Sequence, residues 1–336
     1  MSEDLFYNRD RNIAGVVAPT NLSSLNLTPV YGSKASFSSN LHTYETNDLV
    51  YNIIPLSINS LRASFDMKYI VNETNATRLA NFFESKLGSV QFSFTPDNNN
   101  IYRQISGFST EYSISHLNNN HYEFNVNIIA DQAPTLLNWK YMTFLNYNYS
   151  TIENGSIWNQ NLIQWNADIR TWDYGHYSKY DIIYYPTNEN KLNNFYYCSE
   201  DHVSSQDTSP AGDNSKWTQE FFFEPDIGFQ NNVTINSSKL EFKNSHPLRI
   251  KTKNNITPLV INYKFSNITD KQLRSMLHFL ENKAGYRRFR HQIPSVYNRP
   301  KVFICSEWSH TWNYFNSHDL EVKLTEDPLG VIPRDS

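Results

Sequence analysis

The apolar positions of this chain change period in a fixed order, and that order occurs twice. Ser64-Phe65-Asp66-Met67-Lys68-Tyr69 alternates polar with apolar, as a strand does when one face is wet and the other buried. Shortly after it Ala76, Leu79, Ala80, Phe83 and Leu87 fall three and four apart, which gathers them on one face of a helix. Far downstream Val260-Ile261-Asn262-Tyr263-Lys264-Phe265 repeats the alternation, and Leu273, Met276, Leu277, Leu280 and Ala284 repeat the helical stripe. The predicted helices run from Asn72 to Gly88 and from Thr269 to Gly285. Asn72 and Thr269 are the N-cap candidates, Thr269 and Gln272 have capping-box spacing, and each glycine can close its helix in the left-handed conformation.

The flanks repeat as well. Each alternating strand is expected at a half-buried sheet edge. Each helix is followed by an aromatic strand ending in proline, Gln91 to Pro96 or Arg288 to Pro294. Next comes a strand carrying Phe108-Ser109 or Trp308-Ser309, and a last alternating strand, Tyr122 to Ile128 or Asp319 to Leu324, closes each copy before Asp131 or Asp327. A repeat of the whole series argues for duplication rather than two unrelated amphipathic helices. The expected fold class is α+β, mostly β: two homologous antiparallel-sheet domains, each with one packed helix, and a small aromatic-rich β module between them.

The landmarks of the second copy are the strand Val260 to Phe265, a helix holding Phe279-Leu280-Glu281 and ending at Gly285, then Phe289, Pro294, Val302, Cys305 and Glu307-Trp308-Ser309. In that order they resemble the minor tail protein M family of lambda-like phages. The first copy keeps Phe82-Phe83-Glu84, Gly88, Phe92, Phe94 and Pro96, with Ile105 and Phe108 standing where the second has Cys305 and Trp308. The resemblance covers roughly residues 38 to 131 and 232 to 328. It implies a structural subunit of the virion, made in the host cytoplasm and placed near the distal end of the phage tail, with tail tube and baseplate hub or tip proteins as partners. It implies no catalysis and no cofactor. The family member is a single domain, whereas this chain has two plus a middle segment. Three such chains would present six domains, so a homotrimer with a pseudo-sixfold face is the expected assembly.

Composition narrows the alternatives. At 336 residues the chain can bury two or three cores. Aromatics at 15% against 18% charged residues argue against disorder and favour sheet. A net charge of −4 does not point to specific nucleic-acid recognition. No apolar run is long enough to cross a bilayer, and none stands behind Met1 as a signal core, so no membrane insertion is expected. Cys198 and Cys305 fall in different proposed modules and read as buried thiols.

Between the copies the composition shifts to Trp139, Trp158, Trp165 and Trp172, a tyrosine run, Phe195-Tyr196-Tyr197-Cys198 and Trp217. Trp172, Tyr177, the strands Tyr180 to Tyr185 and Phe195 to Cys198, Pro210 and Trp217 resemble a small chitin-binding type of carbohydrate module. That resemblance implies sugar stacking on Trp172, Tyr177, Tyr197 and Trp217. Two other readings stay open: these rings form the core of a minimal three-stranded module, or they form a patch that docks another tail protein. The resulting layout is an N-terminal arm (1–37), copy 1 (38–135), the middle module (140–228), copy 2 (232–328) and a C-terminal tail (329–336). The arm reads either as a strap on a neighbouring subunit or as one on its own domain.

No nucleophile elbow, phosphate loop, His-Glu-x-x-His or Cys-x-x-Cys occurs. Asp168 and Asp173 could in principle serve a glycosidase, whose two carboxylates flank the bond to be cut, but spacing alone does not support that and such pairs nearly always prove to be solvated charges. His291, His310 and His318 lack metal-ligand spacing and are expected at surface or strand positions, so no metal site is expected. Arg287, Arg288 and Arg290 are the subunit-interface candidates, with Arg288 and Arg290 on one strand face and Arg287 with Phe289 on the other. The sequence therefore points to a non-enzymatic phage tail ring linking the distal tube to the baseplate or tip. The alternative is a host-surface polysaccharide-binding tail protein that acts through the middle module.

Overall fold

Strand alternation and helical spacing translate directly into elements. The computed structural model describes residues 24–25, 27–45, 51–56, 61–86, 88–97, 101–118, 120–130, 169–172, 174–185, 195–210, 215–227, 230–233, 237–240, 248–251, 259–293 and 300–327. The first unit comprises β1 (Ser24–Leu25), β2 (Lys34–Ser39), β3 (Leu41–Glu45), β4 (Tyr51–Pro55), β5 (Leu61–Asn72), α1 (Glu73–Lys86), β6 (Phe92–Phe94), β7 (Ile105–Asn118) and β8 (His121–Ala130). The middle module holds β9 (Ile169–Thr171), β10 (His176–Tyr177), β11 (Ile182–Tyr184), β12 (Phe195–Cys198), β13 (His202–Val203) and β14 (Trp217–Thr218). The second unit comprises β15 (Gln230–Val233), β16 (Ser237–Leu240), β17 (Leu248–Lys251), β18 (Leu259–Ile268), α2 (Asp270–Lys283), β19 (Phe289–His291), β20 (Lys301–Tyr314) and β21 (Ser317–Glu326). The fold is α+β and mostly β, with antiparallel sheets.

The two units share element order and strand pairing at a constant sequence shift. Lys34 pairs with Asp66 as Gln230 does with Asn262, and Leu41 pairs with Pro55 as Ser237 does with Lys251. Phe65 faces Ile128 as Ile261 faces Leu324. Even the irregularities coincide: β7 shifts register at Ser109/Glu111 and His116/Asn118, and β20 does so at Cys305/Glu307 and Trp312/Tyr314. The parallel contact of Leu25 with Phe94 recurs as that of Phe221 with His291. One extra residue in β18, at Ser266-Asn267, moves α2 one position further along. This ladder corrects the expected alignment: Cys305 corresponds to Ser109 and Trp308 to Tyr112, not to Ile105 and Phe108. Matching the Phe-Ser and Trp-Ser dipeptides misplaces the strand, because its position is fixed by pairing with β8 or β21.

The main sheet runs β1-β6-β7-β8-β5-β2-β20-β21-β18-β15, with β19 also on β20. β2 thus joins the units, antiparallel to β5 on one side and to β20 on the other. This overturns the reading of residues 34–37 as part of an arm. Among the described residues the first unit begins at Ser24 and the second is already in place at Phe221, earlier than 38 and 232. Residues 1–23 and 328–336 lie outside the described residues. β5 and β18 are interior strands rather than the expected edges: their alternation reports one wet face, not a missing neighbour.

One face of the sheet is apolar throughout, with Phe65, Met67, Tyr69, Ile261, Tyr263 and Phe265 buried, and both helices pack into one core cluster with it. In α1 the Asn72 carboxamide oxygen accepts from Asn75 N–H at 2.9 Å, and in α2 the Thr269 hydroxyl accepts from Gln272 N–H at 3.3 Å. The Gln272 side chain does not close the expected capping box; it donates to the Tyr180 hydroxyl at 3.0 Å. Ala284 is the C-cap, at φ 49°, and not part of the apolar stripe; Gly285 follows at φ 78°. Leu87 lies outside the described residues. Phe82 and Phe279, outside the predicted stripes, are fully buried.

Candidate functional site

The joint between the units is the most elaborately built polar and aromatic site among the described residues. It grows from β2, whose short alternation places Ala35 and Phe37 on the apolar face. Phe37 pairs with Trp308 across the ladder and stacks on it, centroids 5.3 Å apart and planes 14° from parallel. Such a pair is worth about 0.5–1.5 kcal/mol beyond its burial. At the strand end the Ser39 hydroxyl donates to the Ala284 carbonyl at 3.2 Å, tying β2 to the last turn of α2.

Beneath the stack runs a buried chain of hydrogen bonds. Tyr102 Oη lies 3.2 Å from His310 Nδ1, His310 Nε2 lies 3.2 Å from His318 Nδ1, and His318 Nε2 lies 2.5 Å from Asp270 Oδ1. One proton on each imidazole gives one consistent set of directions: His318 Nε2–H donates to the Asp270 carboxylate, His310 Nε2–H donates to His318 Nδ1, and the tyrosine hydroxyl donates to His310 Nδ1. Burial, and then the neighbouring His318, hold His310 well below the usual histidine range. His291 stands apart on the Tyr263 hydroxyl at 2.8 Å, with burial lowering it to about 4. All three histidines lie on strands, yet they are buried rather than superficial. Among the described residues no three His, Cys, Asp or Glu side chains converge as metal ligands.

The opposite sheet face is polar. A groove of about 710 Å³ crosses it, lined by residues from Ile129 of β8 to Lys264 of β18, with Arg62, Ser38, Glu307 and Lys323 between. Residues of six adjacent strands line this one groove. Its charges are mixed, and Lys323 is paired with Glu307.

In the middle module β14-β12-β11-β9 form a four-stranded sheet, one strand more than expected. Ile182 and Tyr197 turn towards α2, where Tyr197 Oη lies 2.9 Å from His278 Nδ1 and Lys271 pairs with Asp181 at 2.7 Å. Ile183 and Cys198, one residue along each strand, turn the other way and form a separate core with Tyr177 and Trp217. The sugar candidates are corrected accordingly. Tyr177, Tyr197 and Trp217 are 2%, 1% and 1% exposed, and Trp217 Nε1–H donates to the Thr208 carbonyl. Rings so enclosed offer no face to a sugar. Trp172 is only half-buried, and it packs edge-on against Tyr174, which is 66% exposed and carried no sequence signal separating it from its neighbours. Trp139, Trp158, Trp165, Asp168 and Asp173 lie outside the described residues.

The arginine triad is also redrawn. Arg288 forms an ion pair with buried Asp327 at 2.6 Å, so its charge is already partnered within the chain. Arg287 precedes the strand and donates to the Asn282 carbonyl at the end of α2. Only Arg290, alternating with buried Phe289 and His291, stands exposed on β19. Both cysteines are free and buried. Burial raises the Cys305 thiol and, with the Asp181 charge, pushes Cys198 up to about 12, so neither is a thiolate nucleophile near neutral pH.

What this arrangement does is join two like units in one continuous sheet. The chain matches no protein-family model and has no significant match among curated proteins.

Proposed function

We propose that the protein is a structural subunit of a phage tail, three copies of which form a ring linking the distal tube to the baseplate or tip. In this reading the two units descend from a duplication, and the chain supplies two of six positions around the ring. The observation that carries the ring is the direction of the joint. β2 of the first unit meets β20 of the second, which are non-equivalent strands, so the contact is head-to-tail and can be repeated by a further unit. A head-to-tail contact closes into a ring when its rotation divides the circle. The groove that crosses the polar face over six strands is compatible with a curved course for the sheet. The location in a tail rests on the sequence resemblance alone. Native mass spectrometry of the purified chain is expected to give three copies, and averaged images of particles carrying a tagged chain are expected to place it at the distal end of the tail. A monomer in solution and in the particle would remove the reading.

A second reading, binding of host-surface polysaccharide, is favoured by one observation, the exposed Tyr174 against Trp172. A glycan array probed with the full chain decides it. Binding that disappears on Tyr174→Ala would establish it, and an array without signal leaves assembly as the only role.

A further inference from the structure

Among the described residues, the two complementary halves of the joint inside the chain recur on outer strand edges of the sheet where no strand fills them. The outer edge of β20 is shared by β19, at Lys301 to Phe303, and by β2, at Glu307 to Thr311. The equivalent edge of β7 is taken by β6 at Ile105 to Gly107, but the stretch matching the β2 site, Glu111 to Ser115, pairs with no strand on that side among the described residues. At the other end β15, the counterpart of β2, pairs only with β18 among the described residues. We propose that β15 of one chain adds antiparallel to Glu111–Ser115 of the next copy, repeating the β2·β20 joint between molecules.

The internal joint fixes the register. Lys34 pairs with Thr311 and Phe37 with Trp308, and the constant shift between units places Gln230 against Ser115, Asn231 against Ile114, Asn232 against Ser113 and Val233 against Tyr112. Exposure marks the same site. Trp308 and His310 are 4% and 0% exposed at the filled joint, whereas Ile114, the counterpart of His310, is 45% exposed and Tyr112, that of Trp308, is half-buried. A long edge that shows apolar side chains is a pairing surface unless something covers it. A second copy of this chain is the occupant, because it carries a strand already equivalent to one that fits.

This inference deepens the ring reading and rests on it for closure, so the experiment separates the two. In the full-length chain, Asn231→Cys with Ile114→Cys and Asn232→Cys with Ser113→Cys sample both kinds of antiparallel pair site. On mild oxidation at least one is expected to give covalent multimers ending at three chains, while Asn231→Cys with Ser109→Cys, out of register, gives none. Separately, Ile114→Lys charges an already exposed position and is expected to shift the mass from three chains towards 39.3 kDa, with the circular dichroism spectrum of the parent. Native trimers in which neither pair cross-links, and which Ile114→Lys leaves intact, would overturn the edge contact and leave the ring standing. A covalent ladder running past three chains would establish the contact and overturn closure. A monomer with no cross-links would overturn both.

Discussion

Tyr102 of the first unit and His310 of the second meet at 3.2 Å, Oη to Nδ1, in a fully buried contact. Tyr102→Phe keeps the ring that stacks beside Phe37 but leaves an imidazole nitrogen buried without its hydroxyl. The expected cost is about 1–3 kcal/mol. Chemical denaturation measures it, and amide exchange should rise first in β2 and β20.

Acid should weaken the fold at three buried histidines, one of them in this joint. His310, His291 and His278 are all held below the ordinary histidine value of 6.5 by burial, His291 to about 4 and His278 to about 3. The unfolded chain therefore takes up these protons first, so stability is full above about pH 6.5 and falls as pH drops towards the folded values. Each such histidine forfeits about 1.4 kcal/mol per pH unit across that window. Thermal melts between pH 7.5 and 4.5 should fall steadily, and His278→Phe should flatten the slope.

Two equivalent glycines separate backbone strain from packing at the joint. Gly88 and Gly285 have φ 67° and 78°, but a Cβ on Gly88 would find its nearest neighbour at 3.5 Å, whereas one on Gly285 would fall on the Ser39 side chain. Gly88→Ala should cost about 1–2 kcal/mol from the left-handed backbone alone. Gly285→Ala should cost clearly more, and Ser39→Gly in the same chain should recover the excess in a double-mutant cycle.

The middle module should come off α2 without unfolding the main sheet. Tyr197→Ala removes a ring buried against His278 and Phe279, at an expected cost of about 3–5 kcal/mol. Protease cleavage within the module should accelerate while the helix and sheet signals persist. A single cooperative transition in both the parent and the variant would show that the module is part of the core instead.

Much of this was legible along the chain. Alternation located β5 and β18, spacing located α1 and α2, and Asn72, Thr269, Gly88 and Gly285 marked their ends, because each signal is local to a few residues. The middle strands were visible in Tyr180 to Tyr185 and Phe195 to Cys198 for the same reason. β2 was not. Lys34-Ala35-Ser36-Phe37-Ser38-Ser39 has two apolar residues and reads as a polar arm, although its Ala35 and Phe37 spacing is a faint strand signal.

The sequence by itself determined which segments are strands and helices, which face of each is dry, and that the series occurs twice, since periodicity and capping act through near neighbours. Tertiary structure alone decided that β2 crosses to β20, that Arg288 turns inward to Asp327, and that Tyr177, Tyr197 and Trp217 are enclosed. An aromatic ring or a charged side chain has the same local pattern whether it faces water or another element. Only the packing of distant segments settles which.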